Sequence, residues 1–192
     1  MRNLFLFLFL FISFPQNILG EDILTELLVA TPNMPDPRFK ETVIFMFYHS
    51  KEGAAGLVVN KPLSTMSIIE LFKVNNITLP KKIVQKEITL YWGGPVHPEH
   101  IFFIHSSDYN SSNPIFSNKD LIVTRSAEIL FDIATNNGPK KYLILSGIAA
   151  WDPGQLDFEI DQDTWDKKIN SYLSIFDNGN EMWNRIINSK DI

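Results

Sequence analysis

The chain has 192 residues, of which 45% are hydrophobic and 20% charged, and its 17 Lys and Arg against 22 Asp and Glu give a formal net charge of −5. This balance is typical of one globular domain and excludes disordered and fibrous proteins. Because the sequence contains no cysteine, disulfides, thiolate metal sites and cysteine nucleophiles are excluded as well. The lysines are scattered through an acidic chain, so direct contact with nucleic acid is not expected.

A secretory signal peptide is predicted over residues 1–20. Met1-Arg2-Asn3 is a basic start, and the apolar run over 4–14 that follows is interrupted only by Ser13. A helix that spans a bilayer needs about 20 apolar residues, and this run is about half as long. We therefore expect export to the periplasm, or attachment to a membrane through this leader alone, and take 21–192 as the folded domain. The alternative is that residues 1–20 form an apolar strand or helix of the fold itself.

The first part of the domain predicts three strands. Leu27–Ala30 is a short apolar run that three prolines end, because proline interrupts strand pairing. Residues 42–48 are β-branched and aromatic, and 56–59 resume the pattern after a turn that contains Gly53. The two segments therefore predict an antiparallel hairpin.

The rest of the domain predicts short helices between further strands. Ser67 and Glu70 have the spacing of a capping box, which predicts a helix that ends near Lys73. Thr124 is expected to cap a helix over 125–135, and a last helix is predicted over 180–188. A hairpin beside strands separated by helices favours a mixed sheet in an α+β domain over a doubly wound parallel sheet. The further strands are predicted at 88–92, 101–105, 121–123 and 142–145, with a loop at Trp151.

The histidines are candidate metal ligands or catalytic bases. His97, Glu99, His100 and His105 carry suitable atoms, but their spacing is not that of a helical HExxH zinc motif. We therefore expect surface histidines on a turn, no metal and no obligatory cofactor. His105 ends a predicted strand, where it either carries protons in a groove or makes a structural hydrogen bond.

Three other segments carry weaker indications of a functional site than the histidines do. The flexible backbone of Gly93-Gly94-Pro95 predicts either an anion-binding concavity or, as we favour, a tight turn. Ser146-Gly147 follows a strand but lacks the G-x-S-x-G pattern of a serine hydrolase. In the segment 151–159, Asp157 and Glu159 are either acid–base groups or, as we favour, acids at a helix start.

Four motifs in order carry a resemblance to a known family. They are residues 28–39 (LVATPNMPDPRF), 49–63 (HSKEGAAGLVVNKPL), 93–96 (GGPV) followed by His105 and Gly138-Pro139, and Trp151 with 154–156 and Glu159. In this combination the sequence resembles the bacterial YqgE/AlgH family from about Leu27 to Trp183. It departs from the family pattern where His100-Ile101 stands in place of Arg-Gly, Ala150 in place of Gly, Asp157 in place of Glu, and 163–166 in place of Asn-x-Trp-Leu.

The resemblance implies a single α+β domain whose mixed, largely antiparallel sheets form a pseudo-barrel with flanking helices. It implies a family without an assigned biochemical activity, one branch of which is linked to transcriptional control without a DNA-reading element. We therefore expect a non-enzymatic regulatory protein that binds another protein or a small molecule. Family members generally look cytoplasmic, which stands against the export that the leader predicts.

One groove is predicted to hold the polar and glycine residues of the motifs, because binding sites are commonly built at strand ends and turns. This hypothesis requires His105 and Trp151 to lie on the same side of the domain. The rival hypothesis is a hydrolase in which His105 or His49 is the base and Glu159 or Asp36 its partner. The expected groove residues are Asp36, His49, Asn60, Gly93, Gly94, His105, Trp151, Gln155 and Glu159.

Overall fold

The computed structural model describes residues 26–74, 76–169, 175–177 and 181–189. The predicted leader, residues 1–20, lies outside the described residues. Within the described ranges, no helix has the length and apolar character needed to cross a bilayer.

Ten strands and four helices form the described part of the chain. The strands are β1 (Glu26–Ala30), β2 (Val43–Ser50), β3 (Gly53–Val58), β4 (Pro62–Ser67), β5 (Glu87–Trp92), β6 (Val96–Ser106), β7 (Phe116–Ser117), β8 (Leu121–Thr124), β9 (Tyr142–Trp151) and β10 (Trp165–Ile169). The helices are α1 (Ile68–Val74), α2 (Glu128–Ala134), α3 (Gln155–Asp161) and α4 (Met182–Ile187).

The strands form one mixed sheet, as predicted, in the order β10-β1-β2-β3-β9-β6-β8-β7, with β4 and β5 attached through β9. The predicted hairpin is confirmed as β2 and β3, and most pairs are antiparallel. The exception is the parallel pair of β5 and β9. The α+β class is therefore confirmed, although the described strands do not close into a full barrel.

Strand β9 organises the sheet because it pairs with three other strands. Its first part, from Tyr142 to Ser146, pairs with β6 along one edge and with β5 along the other. Its last three residues, Ala149–Trp151, pair with β3. The two ends of β9 therefore pair with different strands and lie in different parts of the sheet.

The apolar residues pack in three clusters around the sheet. Alternate residues of β1 face opposite sides, so that Leu27 and Val29 lie in one cluster while Leu28 and Ala30 lie in another. The second cluster also contains Trp151, next to α3. Helices α1 and α2 contribute their buried residues to a third cluster against β5 and β6.

The predicted helices and strands needed several corrections. The predicted strand 142–145 continues to Trp151, which was expected in a loop, because Ile148 and Ala149 are also apolar and buried. Thr124 does not cap a helix: it ends β8 fully buried, and α2 begins only at Glu128. The capping box is confirmed, because Ser67 and Glu70 exchange hydrogen bonds between side chain and backbone at 3.0 and 3.2 Å. Strands β4, β7 and β10 were not predicted, and the last helix is shorter than 180–188.

Candidate functional site

Glu159 is the centre of a hydrogen-bonded cluster at the end of β9. One of its oxygens, Oε2, accepts hydrogen bonds from the indole Nε1 of Trp151 at 2.9 Å and of Trp165 at 2.8 Å. Its other oxygen, Oε1, accepts one from Gln155 Nε2 at 2.8 Å. Gln155 and Glu159 are four residues apart on α3 and so share one face of the helix. The structure thus brings together three of the nine predicted groove residues.

Aromatic rings surround this carboxylate cluster. The ring centroids of Trp151 and Trp165 are 6.1 Å apart, and that of Phe39 is 5.8 Å from Trp165 and 5.2 Å from Trp92. Trp151 and Trp165 are almost fully buried, whereas Phe39 and Trp92 are partly exposed. Sequence reasoning missed this aromatic group, in which Trp165 contacts Glu159 and Phe39 links Trp165 to Trp92, since its members come from a loop and two strands far apart in the chain.

The loop before β2 adds Asp36 to the same region. Arg38 holds both oxygens of this carboxylate, with N–O distances of 2.6 to 3.1 Å. These hydrogen bonds lower the pKa of Asp36 below its usual value, and Asp36 is therefore ionised at neutral pH. The Arg38 guanidinium also lies 5.8 Å from the ring centroid of Phe39, which joins this ion pair to the aromatic rings.

His49 also lies near the Glu159 cluster. It is paired with Ala54 of β3, which is paired with Trp151 of β9, so two strand spacings of roughly 5 Å each separate His49 from Trp151. Its Nε2 is 3.1 Å from Oδ1 of Asp157, on the exposed side of α3. The carboxylate partner of His49 is therefore Asp157, not the Glu159 or Asp36 that the hydrolase hypothesis named.

Asn60, Gly93 and Gly94 have structural tasks. Asn60 accepts a hydrogen bond from Val43 N at 2.9 Å and donates one to Glu41 O at 2.8 Å, which fixes the start of β2. A Cβ at Gly93 or Gly94 would come within 2.3 Å of the β9 backbone. The N–H of Gly93 donates to Ser146 O at 2.7 Å, so it is already used within the sheet. Glycine is therefore required at both positions because the backbone here packs directly against β9.

His105 does not join the Glu159 cluster. It is paired with Tyr142 at the start of β9, while Trp151 ends the same strand nine residues later. At about 3.3 Å per residue, nine residues of strand span at most about 30 Å. The structure therefore places His105 at the opposite end of β9 from the Glu159 cluster.

The surroundings of His105 are polar although the side chain is fully buried. Its Nδ1 is 2.9 Å from the carbonyl oxygen of Ser106, and its Nε2 is 3.1 Å from Oγ of Ser111. Burial lowers the pKa of His105, which favours the neutral imidazole. Tyr109 lies edge-on at 5.5 Å, and burial together with its hydrogen bond to Asp132 raises the pKa of Tyr109 to about 12. The tyrosine is thus a hydrogen-bond donor at neutral pH.

Comparison with known proteins places this fold and these motifs in one family. The AlgH-like family model matches residues 27–192. A UPF0301 protein of Rickettsia africae is 38% identical over 139 residues, which are 72% of each chain. A UPF0301 protein of Rickettsia akari is 35% identical over 158 residues, covering 81% of this chain and 82% of the relative.

Two solved structures share the fold. The solution structure of the AlgH protein from Pseudomonas aeruginosa superposes with a TM-score of 0.71 at 31% identity, covering 86% of this chain and 89% of that one. A crystal structure of a Corynebacterium diphtheriae protein superposes with a TM-score of 0.62 at 20% sequence identity, covering 87% of this chain and 86% of that one. At this identity, the similarity supports the fold alone. The chain therefore belongs to the AlgH-like family, in agreement with the resemblance found in its sequence motifs.

Proposed function

We propose that this chain is a non-enzymatic binding protein that docks a basic segment of a partner protein on the outer face of α3. The observation that carries the proposal is Phe158, whose surface is 64% exposed in the middle of an acidic segment. Phe158 is the only aromatic residue among the large exposed hydrophobic residues of the described part of the chain, and aromatic side chains are enriched in protein interfaces.

The charge around Phe158 defines the chemistry of the partner. Residues 151–166 contain six Asp and Glu and no Lys or Arg. Two of the six do not contribute to the outer face, because Glu159 accepts the indole hydrogen bonds and Asp166 lies 3.0 Å from Lys168. On α3, Asp157 and Asp161 are four residues apart and flank Phe158 on the exposed side, whereas Leu156 is buried. A segment with Lys or Arg beside an apolar residue would complement this face, and its association would weaken as salt increases.

The Glu159 cluster supports docking by holding α3 in place. The inner face of the helix is fixed to β9 and β10 through the two indole hydrogen bonds to Glu159. Its outer face is therefore presented on a rigid base, which reduces the entropy lost when a partner binds.

A photo-crosslinking experiment tests this proposal. A benzophenone amino acid replaces Phe158 in one variant and Leu63, which is 55% exposed on β4, in the control. Both are expressed in cells that naturally contain the chain. We expect a protein to be crosslinked at 158 and not at 63.

The captured protein is then purified and titrated with the wild-type chain and with Phe158→Ala. We expect affinity to fall at least tenfold in Phe158→Ala and to fall with added salt, because an interface anchor is typically worth 2 kcal/mol or more. Equal crosslinking at both positions, or an affinity that neither salt nor Phe158→Ala changes, would refute the proposal.

A second candidate function, a serine hydrolase, is favoured by the contact between His105 and Ser111. A carbonyl oxygen can only accept, so His105 Nδ1 must donate its proton to Ser106 O. The neutral ring then offers the lone pair of Nε2 to the hydroxyl of Ser111 at 3.1 Å. A base oriented in this way beside a hydroxyl is the arrangement that activates a nucleophile.

In this candidate reaction, Ser111 Oγ attacks the carbonyl carbon of an ester while its proton passes to His105 Nε2. The proton then goes to the departing alkoxide, and water hydrolyses the acyl-serine by the same route. A fluorophosphonate probe tests it: labelling of the wild-type chain that is lost in Ser111→Ala supports a hydrolase, whereas no labelling of the wild type eliminates this candidate.

A further inference from the structure

The segment 97–100 bulges out of β6. Val96 is paired with Ile148 and Ile101 with Ser146, so four residues of β6 stand opposite the single residue Gly147 of β9. Ser146 Oγ donates a hydrogen bond of 2.5 Å to Pro98 O, which anchors the bulge to the sheet. His97 has a φ of +50°, in the left-handed region that side-chain-bearing residues rarely adopt. Bulges of this kind re-aim side chains.

The bulge brings three metal-ligating side chains together. In a regular strand, His97 and Glu99 would face one side of the sheet and His100 the other. In the structure, Glu99 Oε1 is 3.1 Å from His97 Nδ1 and 3.7 Å from His100 Nε2. The two imidazole rings are stacked, with centroids 4.9 Å apart and 22° between their planes.

These distances fit coordination of one small cation. Bonds of about 2.0–2.1 Å in a tetrahedral arrangement place neighbouring donor atoms about 3.3 Å apart. The three donor atoms all lie within 4.8 Å of one another, so small side-chain rotations would bring them to one ion. The positive charge of Arg125 acts on His100 and opposes the binding of a cation there. The negative charge of the Glu99 carboxylate acts on His100 in the opposite direction and offsets this repulsion.

We propose that His97, Glu99 and His100 form a solvent-open site for a transition metal of the Zn²⁺ class. Two imidazoles and one carboxylate suit Zn²⁺, Co²⁺ or Ni²⁺, whereas Mg²⁺ and Ca²⁺ prefer oxygen ligands alone. All three side chains are between about a third and two thirds exposed, so water fills the remaining positions and the ion exchanges freely. From the sequence no metal is expected, because the spacing of these residues is not that of an HExxH motif; the bulge brings the three side chains together without that spacing.

Calorimetric titration of the untagged full-length chain with ZnCl₂ at neutral pH tests the site. We expect one Zn²⁺ to bind per chain, and binding to weaken at least tenfold in His97→Ala and in His100→Ala. Glu99→Gln keeps the size of the side chain and removes its charge, so it should also weaken binding. His49→Ala is the matched control, because His49 is a partly exposed histidine paired with a carboxylate elsewhere.

The tetrahedral spectrum of bound Co²⁺ gives a second measurement. We expect visible absorption bands in the wild-type chain and in His49→Ala, and their loss in His100→Ala. Thermal unfolding of each apo variant verifies that the fold is retained. If the wild type does not bind Zn²⁺, or if His97→Ala and His100→Ala bind as tightly as the wild type, the three side chains are an exposed hydrogen-bonded cluster only and the proposal is wrong.

Discussion

Replacing Glu159 by alanine should destabilise the fold substantially, because this carboxylate is the shared acceptor of two tryptophans. Trp151 and Trp165 retain only 6% and 4% of their surface, so their indole N–H groups have little access to water once the acceptor is gone. A buried donor left without a partner costs about 1–3 kcal/mol. Glu159 itself is only half-buried, and water entering the vacated space offsets part of the loss. We therefore expect the free energy of unfolding to fall by about 2–4 kcal/mol.

Urea unfolding followed by tryptophan fluorescence measures this loss as a shift of the midpoint at constant slope. Glu159→Gln keeps one carbonyl oxygen as an acceptor, so it should lose about half as much stability as Glu159→Ala. Asp157→Ala is the matched control on the exposed side of the same helix, where a loss of no more than about 1 kcal/mol is expected, because it removes only the exposed pair with His49. The reasoning is refuted if Glu159→Ala is as stable as Asp157→Ala.

Three further predictions concern single positions. Gly94→Ala should lower the free energy of unfolding by 3 kcal/mol or more, or prevent folding, because its Cβ would lie about 2.1 Å from the β9 backbone. Gly154 has a φ of +75° but open space around it, so Gly154→Ala should lower the free energy of unfolding by only about 1–2 kcal/mol in the same urea assay. Removing the guanidinium in Arg38→Ala should raise the pKa of Asp36 towards its usual value in an NMR titration; an unchanged pKa would contradict the assigned cause. Because the pKa of His105 is lowered in the folded chain, the unfolded chain binds a proton at this histidine more readily. The free energy of unfolding should therefore fall as the pH is lowered from 7 to 5. His105→Gln should remove this contribution when the free energy of unfolding is measured against pH.

Local signals in the sequence were enough to predict most of the sheet. The apolar runs of β1, β2 and β8 and the hairpin between β2 and β3 have the patterns expected of buried strands, and their existence was predicted correctly. Strand β10 was missed because its sequence, Trp165–Ile169, is mostly polar and is a strand only through its pairing with β1. Thr124 was misassigned because a threonine that ends a strand has the same local sequence signal as one that caps a helix.

The candidate sites were harder to predict, since they depend on contacts between distant parts of the chain. The motif containing Trp151, Gln155 and Glu159 is local, and its members do meet around one carboxylate. Trp165 and Phe39 complete that cluster from other elements, and neither had a local signal that pointed to Glu159. The grouping of metal-ligating side chains at 97–100 depends on a bulge, which no residue pattern in the segment specifies.

The separation of His105 from Trp151 also decides how the functional proposals relate to one another. Both residues lie on or beside β9, but at its opposite ends, nine strand residues apart. A partner protein docked on α3 would therefore not contribute groups to a reaction at Ser111, and a substrate at Ser111 would not contact Phe158. Residues this far apart without shared partners generally act additively. The crosslinking and fluorophosphonate experiments consequently test separate sites. Labelling at Ser111 would overturn the non-enzymatic part of the first proposal, whereas docking on α3 is decided by the crosslinking and titration alone.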